Sequence, residues 1–88
     1  MTRKPAEVFP VGEYILEGLD ARAMTIRDLA KAMGGDFYLN YGTLEFLIYA
    51  PTKGSTLDQE TAEELAKVFE TSPEFWMNLD KAWQQGAP

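Results

Sequence analysis

Apolar residues recur at helical spacing in four stretches of this chain, and between them lies one stretch whose pattern is ambiguous. Residues 11–23 put Val11, Ile15, Leu16 and Leu19 on one stripe, with Glu13, Glu17 and Asp20 elsewhere, as in a half-buried helix. Pro5 and Pro10 mark an irregular arm ahead of it. Ile26, Leu29, Ala30 and Met33 form the inward face of a second helix. Thr25 and Asp28 begin it at capping-box spacing, the threonine oxygen accepting from a first-turn amide while the acid reaches back to the cap, and Gly34-Gly35 stop it. A later helix takes Asp58 as its N-cap and carries Ala62, Leu65, Ala66 and Phe69. The last has Ser72 as cap, Pro73 at the first helical position and an apolar stripe of Phe75, Trp76, Leu79 and Trp83. Residues 1–7 and 84–88 read as frayed ends, and the chain has no internal repeat.

Residues 34–50 permit two readings. As a helix, residues 43–49 turn Leu44, Leu47 and Ile48 inward at i, i+3 and i+4. As strands, Phe37-Tyr38-Leu39 and residues 44–49 are rich in aromatic and branched residues and could flank an Asn40-Tyr41-Gly42 turn. Local propensity favours the hairpin, and the flanking helices favour the helix.

Composition narrows the function more than the fold. At 88 residues the chain is one small domain, a size that buries only about 60 to 65% of the unfolded surface, so a dimer contact would be a natural supplement. With neither cysteine nor histidine, disulfides, thiolate metal sites and the commonest catalytic groups are excluded. Glu60 and Glu64 share a helix face, but no nucleophile and base are recognisable together, so an enzyme is not expected, nor a cofactor or metal. No apolar run approaches the roughly 20 residues of a membrane span and no signal-peptide pattern is present, which makes a cytoplasmic protein the expectation.

Charge is distributed unevenly. There are 14 acids against 8 bases overall. Residues 22–31 hold the bases Arg22, Arg27 and Lys31 against the single acid Asp28, whereas residues 58–74 hold six acids and one lysine. A polyanion would therefore meet the front half, and the acidic back half reads as a solvated helix face.

Several motifs resemble the HigA-like antitoxin branch of the Xre helix-turn-helix family. They are Phe9-Pro10-Val11-Gly12-Glu13-Tyr14-Ile15, Thr25-Ile26-Arg27-Asp28-Leu29-Ala30, Leu57-Asp58-Gln59-Glu60-Thr61-Ala62 and, most specific, Thr71-Ser72-Pro73-Glu74-Phe75-Trp76-Met77-Asn78-Leu79. The resemblance implies an all-α, five-helix Xre/lambda-repressor-like helix-turn-helix domain over residues 1–88, with residues 1–8 as an N-terminal arm and residues 71–85 as a dimerisation helix. It further implies a homodimer through Phe75, Trp76, Leu79 and Trp83 that binds double-stranded operator DNA, represses its own operon and neutralises a partner toxin.

The chain departs from that family where DNA should be read. The turn after the second helix reads as about four residues longer, around Asp36-Phe37-Tyr38-Leu39, so that Asn40, Tyr41 and Thr43 fall where the recognition helix presents polar side chains. Residues 34–50 contain no base and two acids, Asp36 and Glu45. Asn40 can pair bidentately with adenine, and Tyr41 and Thr43 can reach phosphate or a thymine methyl. Lys53 can hold the backbone, as can Arg27 and Lys31 on the helix that crosses it in this motif. The bland alternatives are a capping asparagine for Asn40, partial packing for Tyr41 and a solvated loop charge for Lys53. Phe37, Tyr38, Tyr41, Phe46 and Tyr49 support a second expectation, a degenerate helix-turn-helix module that has lost DNA recognition and binds a toxin or another regulator through an aromatic surface.

Overall fold

The computed structural model describes residues 9–50 and 57–86. They form five helices, α1 (Val11–Ala21), α2 (Ile26–Ala32), α3 (Phe37–Tyr49), α4 (Gln59–Phe69) and α5 (Pro73–Gly86), with no strand among the described residues. This is the all-α architecture expected of a helix-turn-helix domain. The N-terminal arm, Lys53 and Pro5 lie outside the described residues.

Local chemistry sets most of the helix ends. Thr25 Oγ1 accepts the Asp28 N–H at 3.1 Å and the Asp28 carboxylate accepts the Thr25 N–H at 2.9 Å, completing the capping box. The Asp58 carboxylate accepts from Thr61 N at 2.8 Å, and Ser72 Oγ from Phe75 N at 3.2 Å. Gly34 and Gly35 follow α2 with φ of 84° and 73°, backbone that only glycine adopts without strain.

The core is drawn from every helix. Ile15, Leu29, Met33, Leu44 and Leu65 are its largest fully buried side chains. Trp76 of α5 joins them at 3% exposure, its ring 5.4 Å from that of Phe69 and its indole N–H donating to Thr71 Oγ1 at 2.7 Å. Packing α1 onto α3 depends on Gly12. A Cβ at that position would clash with the Leu47 carbonyl oxygen and lie 2.6 Å from Ile48 Cα, so the two backbones can approach only because the side chain is missing.

Three features differ from the pattern expected from sequence. α1 buries Gly12 along with Val11, Ile15 and Leu19, while Leu16 is 38% exposed. α5 turns Phe75 outward at 44% exposure and buries Asp80 instead, continuing as helix through Gly86 where fraying was expected. Residues 37–49 are one continuous helix, which bears out the helical reading of residues 43–49 over the hairpin but begins at Phe37, so the lengthened turn does not exist: Asp36 caps α3 by accepting from the N–H groups of Tyr38 and Leu39 at 2.9 and 3.1 Å. That cap recruits Phe37, Tyr38 and Leu39 into the first turn. The helix is also held by buried Leu44 and Ile48, with Phe37 and Tyr41 packed against the core.

Candidate nucleic-acid interface

α2, the turn at residues 33–36 and α3 form a compact helix-turn-helix unit, joined across the turn by one side chain. Asn40 Nδ2 donates to the carbonyls of Ala30 and Gly34, at 3.0 and 2.6 Å, satisfying acceptors that the end of α2 leaves open. Both protons of the amide, one of which would have to reach adenine N7 in a bidentate contact, are thereby engaged within the chain. A second link is ionic and aromatic, since the Arg27 guanidinium lies 5.9 Å from the centre of the Phe37 ring.

The helix period then decides which α3 residues face outward. With Leu44 and Ile48 buried, a rotation of about 100° per residue puts Leu39 and Phe46 on the opposite face, with Gly42, Thr43 and Tyr49 beside them. Leu39, Phe46 and Tyr49 are 70%, 42% and 69% exposed, and Tyr38 on the flank is more exposed still. Thr43 is exposed, whereas Tyr41 is half-buried against the core and 5.7 Å from Phe37. The outward face of α3 is thus mainly carbon.

Arg27 and Lys31 are both exposed on α2. Arg22 differs from them: its guanidinium donates to the Phe69 carbonyl at 3.1 Å and lies 5.0 Å from that ring, so it caps the end of α4. Sequence placed it with the other bases because nothing local reveals a partner 47 residues away.

The Asn40 and Thr43 side of α3 borders a cleft of about 300 Å³ against α4, lined also by Asp36, Leu39, Asp58, Glu60 and Glu64. Asp58 has its carboxyl held below the ordinary value by hydrogen bonding to the Thr61 side chain and then its backbone N–H. Glu64 is pushed the other way, by burial and then by the neighbouring Glu60. The cleft is therefore unfavourable for phosphate. Among the described residues, no group of carboxylates is arranged to hold a metal ion, and no helix is long and apolar enough to cross a membrane.

Of the expected dimer residues, Phe75 is exposed and Leu79 and Trp83 are half-buried, while Trp76 sits in the core of its own chain. Sequence reasoning missed the roles of Asp80, Arg22 and Gly12, each of which depends on a partner far along the chain.

No protein-family model matches the chain. An uncharacterized HTH-type transcriptional regulator of Haemophilus influenzae is 40% identical to it over 80 residues, covering 90% of this chain and 65% of the relative. The chain is similar to a helix-turn-helix transcriptional regulator. The chain spans just under two thirds of that relative's length.

Proposed function

We propose that this chain is a HigA-like DNA-binding transcriptional regulator, which binds operator DNA as a dimer and acts as the antitoxin of a partner toxin. The observation that carries the reading is the α2–turn–α3 unit, which holds α3 with one face on the core and the other exposed, while Arg27 and Lys31 are exposed on α2. Similarity to a transcriptional regulator supports it. Dimerisation would use Phe75, Leu79 and Trp83 of α5, since Trp76 is occupied internally. Tyr41, Thr43 and Lys53 remain the polar candidates for contact with DNA.

The test is a titration of the purified protein with DNA from its own upstream region and with an unrelated duplex, each at two salt concentrations. Tighter, salt-sensitive binding to the upstream duplex is expected. Equal binding to both duplexes would overturn the operator reading.

A second reading is favoured by the exposed aromatics of α3. The exposed Tyr38, Phe46 and Tyr49, on a helix that also borders an acid-lined cleft, would suit a protein partner with a basic, amphipathic surface, such as a toxin or another regulator.

A further inference from the structure

We propose that α3 reads DNA through an apolar notch at Gly42, walled by Leu39, Thr43 and Phe46, whose occupant is the C5-methyl group of a thymine. This rests on the operator-binding reading and specifies what the operator must contain.

The argument begins with the glycine. A glycine in a helix interior costs stability relative to alanine, so it persists where a side chain would obstruct something. At Gly12 the obstruction is internal, the backbone of α3. At Gly42 a Cβ would meet nothing within 4 Å, and no atom of the described chain requires its absence. The requirement comes from outside the described residues.

The surroundings of Gly42 describe what approaches. Leu39 and Phe46 stand three residues before it and four after it on the outward face, and both are well exposed. Thr43 adds a methyl group and a hydroxyl. In the major groove only thymine offers an apolar group, its C5-methyl, and threonine, phenylalanine and similar carbon surfaces are its natural contacts. Bidentate reading of guanine has no donor on this helix, which lacks arginine and lysine. Bidentate reading of adenine would need an Asn40 amide proton, and both are donated, to Ala30 and Gly34. Charge bears on the approach: Arg27 and Lys31 are exposed on α2 and available to phosphates, while Glu60 and Glu64 line the cleft that Leu39 and Thr43 also border and disfavour phosphate there.

The deciding experiment compares the full chain bound to its upstream duplex in two forms, one with thymine and one with uracil in every thymine position, a change that removes the methyl groups and keeps the pairing. An unrelated duplex in both forms measures any general effect of uracil. Affinity for the upstream duplex should fall about fourfold for each recognised methyl removed, with no change for the unrelated one. Gly42→Ala, which should melt at or above the parent temperature, should lose the preference for thymine. Equal affinity for the two upstream forms would overturn the notch and leave the operator reading standing. A Gly42→Ala protein with the parent's affinity and thymine preference would likewise overturn it. If neither upstream form is preferred over unrelated DNA, both proposals fall, and the face belongs to a protein partner.

Discussion

The carboxylate of Asp80, buried in α5, accepts the backbone N–H of Leu57 at 2.9 Å and so ties the chain entering α4 to the helix that closes the fold. Its other oxygen accepts from the Gln84 side chain at 3.5 Å. Replacing Asp80 with leucine leaves the Leu57 N–H without its acceptor in a buried setting. The expected loss is about 1 to 3 kcal/mol in chemical denaturation. A loss below about 0.5 kcal/mol would place this bond among the ordinary surface interactions.

Gly12 and Gly42 make a matched pair with opposite expectations. Gly12→Ala forces α1 away from the backbone of α3 and should cost about 1 to 3 kcal/mol, the usual range for overpacking. Gly42→Ala adds a methyl to open space in mid-helix and should add about 0.5 to 1 kcal/mol. Thermal melts of the two proteins side by side check both. A stabilised Gly12→Ala protein would mean that α1 and α3 are not in backbone contact.

Stability should depend on acid through the helix caps. The carboxyl of Asp28 is held below its ordinary 3.8 by the Thr25 backbone N–H and then by the Thr25 side chain, and that of Asp58 by Thr61. In the unfolded chain both protonate first as pH falls. Their contribution is therefore complete above the unfolded value and is lost as pH drops through the lower folded values. Glu64 is raised by burial and by Glu60, so its ionised form weakens the fold at neutral pH and is relieved as pH falls through its raised value. Asp28→Asn and Asp58→Asn should flatten the acid side of a stability profile, whereas Glu64→Gln should raise stability near neutrality only. Profiles of the three variants that superimpose on the parent's would refute this assignment.

Arg27 and Lys31 are the exposed bases of the helix-turn-helix unit among the described residues. Replacing both with alanine should weaken binding to every duplex and reduce the slope of log affinity against log salt by roughly 0.9 for each phosphate no longer neutralised. An unchanged slope would assign phosphate binding to other residues. Arg22→Ala should instead lower stability, because its guanidinium is held at the Phe69 carbonyl.

Caps and stops were legible in the sequence because each is a local grammar: Thr25 with Asp28, Asp58, Ser72 with Pro73, and the Gly34-Gly35 pair all act within a few residues. The buried stripes of α2 and α4 were legible for the same reason. α3 was not. Its apolar residues lie all round the helix, so periodicity could not separate core from surface, and Asp36 looked like a turn residue until its cap was seen. The outward turn of Phe75, the burial of Asp80 and the engagement of Arg22 depend on partners far along the chain. At the candidate site a capping role for Asn40 was among the expectations, while the start of α3 at Phe37 was not.

The Asn40 clamp separates building the motif from using it. The residue that holds α2 to α3 is distinct from Leu39, Gly42, Thr43 and Phe46, which face away from the core. A library randomised at those four positions, with Asn40 left in place, should consist largely of folded proteins differing only in what they recognise. Such a scaffold can acquire new targets by drift on one helix face without passing through an unfolded ancestor.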